Sequence, residues 1–190
     1  MRTLAQAVVL IVFSALAIHG AAAQETVHAV SGTVISIHPK VGTIELNTDD
    51  GSSGDFECLK SADHPLNFNK DVKANSIAAA KFTGNGNHVI LYYFGDGDVR
   101  TAVAIHDLGK TQVTEISGTV IKFNRHDRTL LLKSSAGKDE SFNINPETVG
   151  DTPTGVAQNF KFDFNKGNAV TVTSTQTNGT QAALLIEPTI

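Results

Sequence analysis

The sequence predicts an all-β fold in which two small β-barrels of about five or six strands each follow one another along the chain. Three observations support this fold class: an internal repeat, apolar residues that alternate with polar ones, and glycine turns between the alternating segments. The segment that begins at Ala29 recurs 86 residues later, and nine of its 30 aligned pairs are identical. Average amino-acid usage would give about two identities by chance, so the repeat indicates a duplicated unit.

The N-terminal segment is expected to be a signal peptide. Arg2 provides a positive charge, residues 7–18 form an apolar run, and three alanines at 21–23 match the small residues that precede a signal-peptidase site. The run is shorter than the roughly 20 residues that span a bilayer, so we expect cleavage rather than a stable membrane anchor. The mature chain is therefore predicted to be periplasmic or secreted. The predicted boundaries are 1–23 for the signal peptide, 24–110 for the first barrel and 111–190 for the second.

Alternation with period two identifies strands in both units. Ile44 and Leu46 of the first unit alternate with polar residues, as do Phe142 and Ile144 of the second. This pattern is typical of strands with one buried face. Asp-Gly and Asn-Gly pairs separate many of these segments, and they supply the positive φ that tight hairpins need.

The first strand of each unit contains a glycine, Gly32 or Gly118, inside a run of β-branched residues. Glycine inside a strand often marks a bend or a close approach of two backbones. Each first strand is therefore predicted to be long and bent, and to join both halves of its barrel. The segment 76–82 is ambiguous, because its alanines favour a helix. Its counterpart, 160–164, alternates, and a strand is therefore predicted for both segments.

Taken together, these short motifs resemble a known architecture. The run Ser31-Gly32-Thr33-Val34-Ile35, the later Thr43-Ile44-Glu45-Leu46 and the Gly86-Asn87 pair are similar to those of exported OB-like small β-barrel modules of bacteria. The periplasmic copper-binding barrel chaperones share this architecture, so the resemblance implies an OB-like barrel in each unit. Those chaperones bind metal through Met, His and a Trp. The chain has no Trp and its one Met is Met1, so the resemblance does not carry their metal chemistry over.

Composition and motifs exclude several classes of function. The 190-residue chain has a net charge of −4, whereas nucleic-acid-binding domains usually carry a basic patch. Glycines at 84 and 86 begin like a dinucleotide-binding motif, but the third glycine is absent and no helix pattern follows. No arrangement of nucleophile, base and oxyanion donor is recognisable. We therefore expect no nucleic-acid partner, no cofactor and no enzymatic activity.

Two histidines are candidates for a metal site. His38 and His126 both fall in the first hairpin turn of their units, although neither shows the short ligand spacing of a zinc motif. The two side chains would form a site if their hairpins met across an interface. The alternative interpretation is that both are solvated turn residues.

The aromatic cluster at 91–94 is the candidate contact surface. Tyr92 and Tyr93 lie at its centre, and the equivalent strand of the second unit, at 172–174, is much less apolar. On a barrel surface such rings stack a sugar or a base, or they are buried in an interface. The asymmetry favours contact of the first unit either with the second unit or with a partner.

The single cysteine, Cys58, aligns with Ile144 of the second unit. A free cysteine commonly behaves as a small buried hydrophobic residue. We therefore expect Cys58 to fill the core of the first barrel rather than to act as a reactive thiol.

The sequence as a whole indicates an exported, non-enzymatic binding or structural module. Its partner is an unknown protein, or a small-molecule or glycan ligand, that no motif identifies. The alternative is a periplasmic metal-binding protein that uses histidines between the two repeats.

Overall fold

The structure is a computed structural model, and it describes residues 24–49, 51, 53–60, 66–97, 99–177 and 179–189. The predicted signal peptide at 1–23 lies outside the described residues. Strands account for most of the described chain, with one short α-helix and one 3₁₀ turn among them. This composition confirms the predicted all-β fold class. None of the helices in the described ranges has the length and apolar character that a membrane crossing requires.

The first part of the described chain contains eight strands, helix α1 and the 3₁₀ turn. Their bounds are β1 (Glu25–Thr26), β2 (His28–His38), β3 (Thr43–Thr48), β4 (Ser53–Cys58), β5 (Leu66–Asn67), α1 (Lys70–Ala74), β6 (Ile77–Ala78), the 3₁₀ turn (Ala79–Lys81), β7 (His88–Phe94) and β8 (Thr101–Gly109).

The second part contains seven strands. Their bounds are β9 (Thr114–Asn124), β10 (Thr129–Ser134), β11 (Asp139–Asn143), β12 (Val149–Thr152), β13 (Gly155–Ala157), β14 (Ala169–Thr177) and β15 (Thr180–Pro188).

Five strands of each part form a small barrel of the same order. In the first barrel the order is β4-β3-β2-β7-β8, and parallel pairing of β4 with β8 closes the ring. In the second barrel the order is β11-β10-β9-β14-β15, and the pair Asn143–Ala182 closes it. This is the five-stranded, partly open barrel expected of an OB-like fold.

The long first strands change their pairing partners around their glycines. Strand β2 pairs with β7 through residues 28–33 and with β3 through residues 32–38, so it belongs to both halves of the barrel. A Cβ on Gly32 would overlap the Asn47 carbonyl oxygen and lie 2.8 Å from the Thr48 Cα atom. Gly118 of β9 is held in the same way against Lys133. The predicted close approach of backbones is confirmed at both glycines.

The strand predicted for 76–82 is mostly wrong. Only Ile77 and Ala78 pair with β8, and the chain then turns into the 3₁₀ segment, in keeping with the alanines. The strand predicted for 160–164 is absent, because Asn159 and Phe160 adopt positive φ values of 54° and 59°. The extended ladder is interrupted there, although Phe162 and Phe164 still point into the core.

Apolar residues are buried in three clusters rather than two. One cluster fills each barrel, and Cys58, 6% exposed, belongs to the first. The prediction for this cysteine is confirmed, and burial raises the pKa of its thiol. The third cluster lies between the barrels and combines residues of both, namely Val27, Ala29, Val72, Ile90, Tyr92, Ala104, Val149, Val156 and Leu185.

Hydrogen bonds surround this third cluster, which we call the inter-barrel cluster. The Val156 N–H donates to the Val27 carbonyl oxygen over 3.0 Å. The hydroxyl groups of Ser31 and Thr173 are 2.7 Å apart and both residues are buried. Apolar burial supplies most of the stability of such contacts, and the polar links fix the orientation of one barrel on the other.

Candidate functional site

The first barrel has an incomplete seam. Strands β4 and β8 pair only at Glu57–Thr101 and Cys58–Ala102, so the earlier half of β4 faces a loop instead of a strand. A cleft of about 280 Å³ opens there. We call it the seam cleft, and it is lined by Glu45, Ser53, Gly54, Asp55 and Arg100.

Arg100 is the most unusual side chain of the seam cleft. Its guanidinium carbon lies 4.3 Å from the centre of the Phe56 ring, which is fully buried in the barrel core. A Cβ on Gly54 would overlap the Arg100 Nη2 atom, so the glycine provides the space that the arginine occupies. Stacking on an aromatic face suits the planar guanidinium group.

The Arg100 side chain has unused hydrogen-bonding capacity. Its Nε atom is buried and has no hydrogen-bond partner. No ion pair joins Arg100 to a carboxylate in the described part of the chain. A buried donor that has lost its water without gaining a partner is energetically costly, so this atom favours any ligand that brings an acceptor.

Two carboxylates line the same cleft. Glu45 of β3 and Asp55 of β4 are directly paired across the two strands, so both side chains leave the same face of the sheet. The Ser36 hydroxyl donates to Glu45 Oε2 over 2.8 Å and fixes that carboxylate. This face is opposite to the one that carries the Phe56 ring, on which the Arg100 guanidinium stacks.

The second barrel has a neutral residue at the position of Arg100. The closing pair Asn143–Ala182 corresponds to Glu57–Thr101 in the first barrel, which places Gln181 where the first barrel has its arginine. The Gln181 Oε1 atom is also buried without a partner. A separate cleft near this seam is lined by Asp127, Arg128, Asn143, Ile144, Asn145, Thr180 and Ala182.

A histidine and an aspartate meet at the junction of the barrels. His28 Nδ1 lies 3.0 Å from Asp151 Oδ1, and Asp151 Oδ2 accepts the Ala29 N–H over 3.2 Å. Asp151 is buried. The hydrogen bond to Asp151 raises the pKa of His28, whereas partial burial lowers it. The negative charge of Asp96 also raises this pKa, and the net pKa is raised.

No sequence pattern distinguishes His28. Its partner Asp151 lies 123 residues away in the β12–β13 hairpin, which the repeat does not predict. His106 is a second histidine near the junction, and burial lowers its pKa in spite of the nearby Glu147. No local spacing in the sequence could have identified either residue.

The two predicted metal candidates lie apart from this junction pair. His38 is exposed at the end of β2, where its Nε2 atom is 3.0 Å from the Ser36 hydroxyl. His126 is exposed in the β9–β10 hairpin, and its main-chain N–H donates to the Asn124 side-chain oxygen. No group of three or more His, Cys, Asp and Glu side chains in the described ranges is placed to hold a metal ion. Metal binding by these histidines stays a prediction.

The tyrosines predicted to make contacts lie in two different places. Tyr92 is 0% exposed within the inter-barrel cluster, with its ring 5.5 Å from that of Phe68. Tyr93 is half-buried and packs edge-on against Phe56 at 5.4 Å. Burial raises the pKa of both phenols. Tyr92 thus packs where the two barrels meet, one of the two alternatives that the sequence left open, and contact with a separate partner stays a prediction.

Known proteins show only a weak similarity to this chain. No family model matches the sequence, and no curated protein matches it. A solved structure described as the crystal structure of Ag(I)CusF matches 41% of this chain and 99% of its own. The sequence identity is 15% and the TM-score is 0.33, a similarity too low to support any conclusion.

Proposed function

We propose that this chain is an exported, non-enzymatic binding module built from two docked barrels, with the seam cleft of the first barrel as its contact site. The observation that carries the proposal is the Arg100 guanidinium, which is fixed on Phe56 while its buried Nε atom has no partner. A donor held ready in this way is typical of a binding site. Its stacking on Phe56 joins the segment before β8 to β4, and this contact leaves the Nε donor without an acceptor.

The chemistry of the cleft favours binding over catalysis. The side chains that line it are one guanidinium group, two carboxylates and the Ser53 hydroxyl, with neither histidine nor cysteine among them. Hydrolysis by a serine nucleophile would need a base within hydrogen-bond reach and a set of oxyanion donors. Selective recognition of a polar ligand needs only the groups that are present.

The docked arrangement supports a single rigid module. Strand β2 supplies Ala29 to the inter-barrel cluster and Val34 to the core of the first barrel. The second barrel holds the start of this strand through Asp151 and Val156. A binding site on the first barrel is therefore supported by the second, because the same strand contributes to both regions.

The experiment is a ligand screen by thermal shift on the chain from Gln24 onward. The panel contains amino acids, organic acids and neutral sugars at millimolar concentration. A ligand at a hundred times its Kd stabilises the native state by about 2.7 kcal/mol, which is readily measured. We expect at least one class to raise the melting temperature in wild type and in Arg128→Gln but not in Arg100→Gln.

Arg128 is the matched control, because it also stacks on a phenylalanine, with its guanidinium carbon 5.3 Å from the centre of the Phe160 ring. It belongs to the second barrel and lies outside the seam cleft. Shifts that are equal in both arginine variants, or no shift with any class, would contradict the proposed contact site.

The junction pair His28–Asp151 supports a second candidate function, the binding of a metal ion by a histidine between the barrels. His28 keeps 35% of its side-chain surface exposed, so an ion would have access to the ring. Calorimetric titration of zinc or copper into the wild-type chain and into His28→Ala tests this function. Heat that disappears in the variant supports it, and no heat, or heat that the variant retains, rejects it.

A further inference from the structure

The main-chain hydrogen bonds of β4 alternate between the strands on its two sides. The Cys58 N–H donates to the Gly42 carbonyl oxygen over 2.7 Å, on the side of β3. The Glu57 N–H donates to the Arg100 carbonyl oxygen over 3.0 Å, on the side of β8. Neighbouring residues of an extended strand direct their N–H and C=O groups to opposite edges. Every second residue of β4, counted back from Glu57, therefore directs its main-chain groups toward the β8 side.

Two of these residues, Ser53 and Asp55, face an opening instead of a strand. Neither has a main-chain hydrogen bond on that side to any of the described residues. The next rung of the ladder would join two described groups, the Arg100 N–H and the Asp55 carbonyl oxygen, and it is not formed. Both residues line the seam cleft, so their main-chain donors and acceptors are directed toward a space that no strand occupies.

An extended main chain is the partner that matches these groups. Donors and acceptors of a strand edge recur at a rise of about 3.3 Å per residue, and a polypeptide in the extended conformation presents complementary groups at the same spacing. An unpaired strand edge is for this reason a template for a further strand. The cleft of about 280 Å³ provides room beside the edge.

The outer face of the sheet beside this edge is acidic. Asp55 and Glu57 leave the same face of β4, because side chains alternate along a strand, and Glu45 of β3 is paired with Asp55. No ion pair joins any of the three carboxylates to a cation in the described ranges. Opposite charges on directly paired residues of neighbouring strands stabilise the pairing, and like charges destabilise it. A segment with lysine or arginine on this face is therefore favoured over an acidic one.

We infer that the open edge of β4 at residues 53–55 binds an extended peptide segment as an added strand, with basic side chains of the segment beside Asp55 and Glu57. This inference rests on the proposed function and assigns a class of partner to the same site. Main-chain hydrogen bonds supply affinity in this mode of recognition, and side-chain contacts supply selectivity. The acidic face thus selects the charge of the segment.

The test is an NMR titration of the ¹⁵N-labelled chain from Gln24 onward with three peptides. The Lys peptide is acetyl-Thr-Lys-Val-Lys-Thr-amide, the Glu peptide has glutamate in place of both lysines, and the third is the Lys peptide with every main-chain nitrogen methylated. The Lys peptide should bind at least tenfold more tightly than the Glu peptide. The methylated peptide should not bind, because it has lost its main-chain donors.

Amide hydrogen exchange reports the added strand directly. A saturating concentration of the Lys peptide should slow exchange of the Asp55 N–H at least tenfold, because this group gains an acceptor. The Gly54 N–H is the internal control. It points toward β3, where Gly54 is paired with Leu46, so its exchange rate should not change.

Two variants separate the main-chain contribution from the charge. Ser53→Pro removes a main-chain donor at the first residue of β4, a position where a strand tolerates proline, and should weaken the Lys peptide at least fivefold. The double variant Asp55→Asn, Glu57→Gln keeps the edge and should also weaken it at least fivefold, so the inference stays testable even where Ser53→Pro fails to fold. Glu140→Gln on β11, the equivalent strand of the second barrel, is the matched control and should bind as wild type does.

The outcomes separate this inference from the proposed function. Unchanged exchange at Asp55 in the presence of the Lys peptide, equal affinity for the Glu peptide, or binding of the methylated peptide would each overturn the inference. Protection of Asp55 that increases with protein concentration in the absence of peptide would show that a second copy covers the edge, and would also overturn it. A small molecule whose thermal shift is lost in Arg100→Gln, with no peptide binding, would overturn the peptide but keep the contact site. Absence of both kinds of binding would reject both proposals.

Discussion

The hydroxyl group of Tyr92 provides a sharp test of the interface between the barrels. The ring is 0% exposed in the inter-barrel cluster, and its hydroxyl oxygen is buried without a hydrogen-bond partner. In the unfolded chain the same hydroxyl makes hydrogen bonds to water. Folding removes these hydrogen bonds and does not replace them. We therefore expect Tyr92→Phe to stabilise the protein.

The expected size of the effect follows from two opposing contributions. An unsatisfied buried hydroxyl costs about 1–3 kcal/mol. Removing its oxygen forfeits a few dispersion contacts of ~0.1–0.2 kcal/mol each, roughly 0.5 kcal/mol together. The free energy of unfolding of Tyr92→Phe should consequently rise by about 1 kcal/mol. Tyr92→Ser removes the whole ring and should lose about 3–5 kcal/mol, as other large aromatic deletions do.

Urea unfolding followed by circular dichroism measures these changes, because the chain has no tryptophan for fluorescence. Tyr93→Phe is the matched control: its ring belongs to the neighbouring barrel core, and its hydroxyl is not among the buried groups without a partner. It should change the free energy of unfolding by less than about 0.5 kcal/mol. A loss above about 1 kcal/mol in Tyr92→Phe would show instead that the hydroxyl makes a hydrogen bond in the folded protein.

Three further predictions address other parts of the fold. Gly32→Ala should cost about 1–3 kcal/mol, because the new Cβ would overlap the Asn47 carbonyl oxygen; an unchanged urea midpoint would contradict this. Since Asp151 raises the pKa of His28 above 6.5, the histidine stabilises the fold fully below pH 6.5, and this stabilisation is lost as pH rises through the raised pKa. The stability deficit of Asp151→Asn should thus be larger at pH 5.5 than at pH 8.5, by roughly 1 kcal/mol or less at this partly exposed pair, and an equal deficit at both values would refute it. The buried Cys58 thiol should react with Ellman's reagent only after unfolding, so rapid reaction of the native chain would argue against its burial.

The barrel strands could be predicted because their side chains alternate in a repeated pattern. Ile44 and Leu46 are fully buried, and their neighbours Glu45 and Asn47 are not. The same alternation misled the prediction at 160–164, where Phe162 and Phe164 are buried but the backbone forms no ladder. Alternating burial reports where side chains point, but backbone pairing also requires the extended, negative φ of a strand, whereas Asn159 and Phe160 have positive φ.

The candidate site could be predicted only in part. The sequence indicated that the aromatic residues of β7 contact either the second unit or a partner. In the structure, Tyr92 lies between the barrels. Nothing in the sequence distinguishes Arg100 from the other arginines, because its environment is created by Gly54 and Phe56 across the seam. The His28–Asp151 contact joins residues 123 positions apart, and such pairs depend on how the barrels dock rather than on local pattern.

The two barrels differ in the segments that connect their strands. In the second barrel, β14 ends at Thr177 and β15 begins at Thr180, so only two residues separate these strands. The corresponding connection in the first barrel is longer and leads into Arg100 and the seam cleft. Conversely, the β12–β13 hairpin of the second barrel supplies Asp151 and Val156 to the junction.

The segment that distinguishes each barrel therefore has a different role: the β7–β8 connection contributes to the seam cleft, and the β12–β13 hairpin contributes to the junction of the barrels. The hairpin of the second barrel holds the start of β2, and β2 pairs with β3, which carries Glu45 of the cleft. Separation of the barrels would therefore remove support from β2 and β3, and β3 forms one side of the cleft. No residue that lines the cleft would itself be altered. Asp151→Asn should consequently weaken ligand binding at the seam cleft in proportion to its loss of stability, and normal binding in a destabilised variant would show that the barrels act independently.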